Sequence, residues 1–209
     1  TVGSTIAREV DGGVYLHAGP EIAVASTKAF TSQVAALLLF TLVMAQAKGL
    51  DMQTLREYIA ELDALPDEID NILKTKIDEI KQVAEKYKDY QHAFYLGRDT
   101  QFPTALEGAL KLKETSYLHV EGQPAGELKH GSIALIDDSF FEVAFIDDGW
   151  LFDKTLSNVI EVQARGGHVV VVTNSDKQIE AETLIHVPTK LKQLTPLLYN
   201  VISQLFAYN

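Results

Sequence analysis

Apolar and polar positions change texture twice along this 209-residue chain. The opening stretch Thr1–Asp11 shows no clean period, and Val14–His17 reads as a short strand closed by Ala18, Gly19 and Pro20. From about Ser26 to Lys48, Ala35, Leu37, Leu38, Leu39, Phe40, Leu42, Val43 and Met44 are apolar on almost every face. That pattern predicts a helix buried on several sides, with Gly49 just past its last turn. Asp51 predicts the cap of a second helix, whose Met52, Leu55, Ile59 and Leu62 form a narrow stripe. After Pro66 a third helix is predicted to about Tyr90, with Ile69, Ile72, Leu73, Ile77, Ile80, Val83, Ala84 and Tyr87 on one face. Its other faces carry Asp, Glu and Lys, as a solvated scaffold or connector would.

From His92 the pattern alternates between strand and helix. Strands are predicted at Ala93–Gly97, Glu142–Ile146, His168–Thr173 and Leu184–Val187, with helices at Thr104–His119, Trp150–Arg165 and Leu194–Tyr208. Solid apolar runs such as Val169–Val172 suit strands covered on both faces, which predicts an α/β fold with a doubly wound parallel sheet flanked by helices. Its ligand site belongs at the carboxyl ends of the strands. The first fifty residues fail the same test, because one strand and one apolar helix make no sheet and leave that helix uncovered. The chain is therefore expected to be a piece of something longer. Residues 1–50 end a first domain, 51–91 form a helical connector, and 92–209 form a second domain.

Composition narrows the partners. Eighteen basic against twenty-nine acidic side chains give a net charge of −11, which argues against nucleic acid and anionic membrane. With no cysteine there is neither disulfide nor thiolate chemistry. No signal peptide is apparent, and the apolar stretch Val34–Ala47 is shorter than the roughly 20 residues a bilayer requires. A soluble, cytoplasmic protein is expected.

Nucleotide-binding, nucleophile-elbow and zinc-protease motifs are absent, and no histidine has a partner at metal-ligand spacing, so no metal or cofactor is expected. His17, His168 and His186 read as ordinary sheet residues. Three segments carry candidate chemistry. On the Thr104–His119 helix, Phe102, Ala105, Leu106, Ala109 and Leu110 mark a buried face, while Glu107, Lys111 and Glu114 share another. Those three are either a solvated Glu–Lys ladder or, at a sheet crevice, a carboxylate tuned for proton transfer. Glu121–Gly131, a loop stiffened by Pro124, presents Glu127, Lys129 and His130, the last suited to acid–base work or simply a surface residue. In Gly19–Phe30, Ser26 and Thr27 sit at a helix N-terminus, either as an ordinary N-cap by Ser26 or as donors for a phosphate or sugar oxygen.

Together, GPEIAVASTKAFTSQ (Gly19–Gln33), ALEGALKLKETSY (Ala105–Tyr117) and AGELKHGSIALID (Ala125–Asp137) resemble the isomerase half of the glucosamine-6-phosphate synthases. These are the isomerising glutamine–fructose-6-phosphate aminotransferases. The resemblance implies two sugar-isomerase (SIS) domains, each a five-stranded parallel sheet, and a homodimer whose sites combine residues of both subunits. It implies hexose-phosphate binding by Val24 and Ser26, an assisting Lys111, and Glu114 moving the proton between C1 and C2. It also implies sugar ring opening by His130, contributed across the dimer.

The family's Ser/Thr-rich phosphate loop, its Schiff-base lysine tail and its Cys-initiated glutaminase domain do not occur in this sequence. The parent is thus expected to form glucosamine 6-phosphate from fructose 6-phosphate and glutamine-derived ammonia, and the chain alone to turn over nothing. The rival readings are a SIS-type deglycase, a non-catalytic module that senses sugar phosphates, and a purely structural dimerisation piece.

Overall fold

A computed structural model describes residues 2–209. They divide into two compact units, one ending at Leu62 and the other spanning Asp63–Asn209.

The first unit holds α1 (Thr5–Glu9), α2 (Lys28–Ala47) and the start of α3 (Met52–Thr75). Ser4 caps α1, accepting from the Ala7 N–H at 3.3 Å. The predicted strand Val14–His17 is irregular backbone instead, because no neighbouring strand pairs with it. Asp51 does cap the next helix, its Oδ1 accepting from the Thr54 N–H at 2.8 Å. The all-round apolar character of α2 is confirmed but its burial is not. Of its residues only Leu42 is buried, while Leu37, Phe40 and Val43 are each more than 60% exposed. At 20 residues, α2 is also long and apolar enough by length and composition to cross a membrane, so the shorter stretch counted from the sequence understated it.

The second unit begins within α3. Pro66 lies inside this helix rather than before a new one, and the break comes only between Thr75 and α4 (Ile77–Tyr87). A mid-helix proline costs about 3 kcal/mol. Burial of Leu65 and Ile72 on the same helix offsets it.

Beyond α4 come β1 (His92–Gly97), α5 (Gln101–Ser116), β2 (His119–Pro124), β3 (Phe140–Ile146), α6 (Phe152–Gln163), β4 (His168–Thr173), β5 (Thr183–His186) and α7 (Thr195–Tyr208). The five strands are parallel in the order β2-β1-β3-β4-β5, as a doubly wound sheet requires. Strand β2 was missed from sequence, where His119 closed a helix and Glu121 opened a loop. Only Val120 of its first three residues is buried, the mark of a half-wet edge strand.

The central strands have no wet face. Phe94, Leu96, Ala144 and Ile146 pack with Val169, Val171, Phe152, Val159 and Val162 on the α6 side. On the opposite side Phe145 stacks against Tyr199 of α7 at 5.9 Å and lies 6.0 Å from Tyr95. The sheet order reverses between β1 and β3, so the loops leaving these two strands diverge and open a crevice at their carboxyl ends.

Candidate functional site

Helix α5 is pinned by small residues. A Cβ on Gly108 would lie 2.7 Å from the Tyr95 ring and 2.9 Å from Ser203 Oγ, so only glycine lets the helix sit this close to β1 and α7. Its buried face is therefore Ala105, Gly108, Ala109 and Leu112, with Lys111 beside them. The face expected from sequence is rotated, since Leu106 and Leu110 are exposed. Tyr117 ends the helix in the left-handed region, its N–H donating to the Lys113 carbonyl at 3.1 Å.

Glu107, Lys111 and Glu114 do meet, but not as a solvated ladder. The Lys111 side chain is 3% exposed, with Nζ 2.8 Å from Glu114 Oε2 and 3.3 Å from Glu107 Oε1. A buried ammonium requires anionic partners, and here two carboxylates supply them. Glu107 is nearly buried, whereas the Glu114 side chain is 30% exposed. One Glu114 oxygen is fixed by Lys111, and the other makes no hydrogen bond among the described residues. A carboxylate on a rigid helix, steered at one oxygen and open at the other, can take a proton from a small molecule and return it to a neighbouring atom.

His130 lies in a single 3-10 turn, Leu128–His130, between β2 and a second turn at Ser132–Leu135. Buried Ala125 and Leu128 anchor the segment, and His130 projects from it exposed. Its backbone N–H donates to the Glu127 carbonyl at 2.9 Å, and no hydrogen bond or ion pair joins its ring to Glu114 among the described residues.

In the first unit Val24 is 95% exposed and Ser26 half-buried. Ser26 is not the cap of α2. The N-cap position falls to Thr27, whose side chain makes no capping bond. Glu21 takes that role, its Oε1 accepting from the backbone N–H groups of Thr27 at 3.2 Å and Ala29 at 2.7 Å. Those donors, chiefly the Ala29 N–H, hold the Glu21 carboxyl below its usual range. The helix end offered to a phosphate on sequence grounds is thus filled by the chain's own anion. Glu21 stood within the quoted segment; a carboxylate just after a Gly–Pro turn was the signal for it.

A second overlooked carboxyl is Glu142, in the middle of β3. It is fully buried, neither oxygen has a hydrogen-bond partner among the described residues, and burial pushes it up to about 8. Among the described residues no group of three or more His, Asp or Glu side chains is arranged to hold a metal ion.

The SIS domain family matches residues 86–209. Over its whole length the chain is 46% identical to the isomerizing glutamine–fructose-6-phosphate aminotransferase of Chlorobaculum tepidum, of which it spans 34%. It is 45% identical to the same enzyme of Thermus thermophilus, over 99% of this chain and 35% of that one. The solved C-terminal domain of glucosamine-fructose-6-phosphate aminotransferase from Francisella tularensis superposes with a TM-score of 0.94 at 39% identity, over all of this chain and 59% of that one. The chain thus spans about a third of the length of these curated relatives. With more than half of its residues matched and a five-stranded parallel sheet between helices, the chain belongs to the SIS domain family.

Proposed function

We propose that the chain carries part of the isomerase machinery of a glutamine–fructose-6-phosphate aminotransferase, which forms glucosamine 6-phosphate from fructose 6-phosphate and glutamine-derived ammonia. The observation that carries this is the ion-paired cluster on α5, Lys111 between Glu107 and Glu114, with one Glu114 oxygen open. In this reading Glu114 takes the proton from C1 of the open-chain sugar imine and delivers it to C2. Lys111 holds Glu114 aimed, through the 2.8 Å contact to Oε2. His130 moves the proton that opens the sugar ring, acting from a second copy of the chain. Val24 and Ser26 hold the hexose phosphate, Ser26 through its hydroxyl, because the α2 amides already serve Glu21. The activity for which the relatives are named, and their identity along the full chain, support the substrate class. The glutaminase domain, homodimer and cytoplasmic location belong to the same proposal.

The test is Glu114→Gln in the complete enzyme. Loss of isomerisation by about 10²–10⁴-fold, with glutamine hydrolysis retained, is expected for removal of an acid–base group. Unchanged sugar turnover would leave a sensing or structural module as the better reading.

A further inference from the structure

The crevice between β1 and β3 opens into a cavity of about 680 Å³, lined in part by Arg98, Gln101, Asp147, Trp150, Asn174 and Lys190. It lies wholly within the second unit and shares no residue with the Lys111–Glu114 cluster. Its volume suits a hexose-sized molecule. The walls are polar, and two features are unfinished.

Arg98 is half-buried at the end of β1, and the only hydrogen bond of its guanidinium among the described residues runs from Nη2 to Asn158 Oδ1 at 3.4 Å. Among the described residues its Nε is buried without a partner, and no carboxylate pairs with the guanidinium. Gly126 makes room for it, since a Cβ there would lie 2.5 Å from Nη2. A guanidinium so placed is a fixed cation on the cavity wall without a counter-ion. Gln101 is 2% exposed and its Nε2 is committed, to Asp147 Oδ1 and Oδ2 at 3.0 and 2.9 Å and to Thr195 Oγ1 at 3.2 Å. Its Oε1 is left without a donor.

Among the described residues, none of the acidic groups around the cavity forms an ion pair with Arg98. Asp148 pairs with Lys177 Nζ at 3.0 Å, and Asp176 sits 3.3 Å from His186 Nε2. Asp147 is engaged by Gln101, and burial raises its carboxyl. Asp99 and Lys190 also line the cavity without an ion pair among the described residues, and Arg98 has no carboxylate on its guanidinium. The N-caps of α5 and α6, Thr100 and Leu151, also line the cavity, and neither side chain caps its helix. Their first-turn amides add positive potential at the same end.

We infer that this cavity is a second small-molecule site, which takes a polyhydroxylated anion of about hexose size with its phosphate or carboxylate on Arg98. Its hydroxyls donate to Asp147 and Asn174, which also line the cavity. The inference does not rest on the isomerase reading.

Trp150 is the one tryptophan of the sequence, is 79% exposed and lines the cavity, so its fluorescence reports on this site. The chain is titrated with glucose 6-phosphate, gluconate and uncharged glucose. A saturable change with at least one of the anions and none with glucose is expected, and whichever anion binds distinguishes phosphate from carboxylate. Arg98→Leu should weaken binding about tenfold or more, as for loss of charge-assisted hydrogen bonds. Arg98→Lys should retain part of the affinity, and Gly126→Ala, which crowds Nη2 but keeps the charge, should weaken it less than Arg98→Leu. Should Arg98→Leu fail to fold by circular dichroism, Arg98→Lys and Gly126→Ala carry the test. No saturable change with either anion up to about 10 mM, equal affinity for glucose, or full affinity in every variant of Arg98 and Gly126 overturns the inference. Binding lost in Glu114→Gln but kept in Arg98→Leu overturns it as well, because the anion then sits at the α5 cluster.

Discussion

Helix α5 and strand β3 each bury one ionisable side chain, and they solve the same problem in opposite ways. Lys111 is ion-paired inside the protein because Glu107 and Glu114 stand on the adjacent turns of the same helix. Glu142 has no cation and no donor within reach, so it is driven to its neutral form. A helix can bring partners to a buried charge from its own sequence, at i−4 and i+3. A central strand cannot, since its neighbours on either side are Phe94 and Val169. The paired charge remains available for chemistry, whereas the unpaired group adds a pH dependence to folding.

The sharpest way to break this contrast is Lys111→Met. It leaves two carboxylates facing each other in a nearly dry site, and a loss of about 3–5 kcal/mol of stability is expected in chemical denaturation. Adding Glu107→Gln and Glu114→Gln to the same chain should recover much of the loss. If the triple variant is as unstable as the single one, packing of the lysine stem and not charge is what matters.

Glu142 predicts a slope. Unfolded, its carboxyl releases the proton near its ordinary 4.5; folded, it holds the proton up to about 8. Stability contributed by the protonated group is therefore complete below about 4.5 and is lost as pH rises towards 8. The expected fall is about 1.4 kcal/mol per pH unit within that window. Glu142→Gln is neutral throughout and should flatten that part of the profile in thermal melts at pH 5 to 8. Equal slopes in both proteins would show that solvent or a donor reaches the carboxyl.

The smallest effect belongs to a pair of the opposite kind, Lys74 with Asp70, on the exposed side of α3. Both side chains are more than half exposed, so water already satisfies them. Lys74→Ala should leave the melting temperature unchanged within error, and a clear drop would mean that this surface is covered.

What the amino-acid pattern revealed tracks how far each element is governed by its own residues. The runs Ala93–Gly97, Glu142–Ile146 and His168–Thr173 announced the sheet because their side chains are buried on both faces. Glu107, Lys111 and Glu114 were legible as one face because helical spacing alone places them together. Strand β2 was hidden, since its pairing with β1 and not its side chains makes it a strand. Val14–His17 failed for the reverse reason, having strand-like residues and nothing to pair with. Pro66 misled because local rules end a helix where tertiary burial of Leu65 and Ile72 carries it through. The depth of Lys111 and the isolation of Glu142 were beyond the pattern as well. Both depend on what α7 and the neighbouring strands bring from afar.

Glu21 on the amides of α2 has a further consequence. A carboxylate held six to eight residues from the donors it serves acts at an effective concentration in the millimolar range. Any external anion drawn to that helix end therefore competes with a tethered occupant that is never washed away. Its carboxyl is held low, so mild acid does not remove it either. The helix end behaves as a threshold: weak or dilute anions leave it as it is. Only a ligand with additional contacts elsewhere displaces Glu21 and frees that side chain to move.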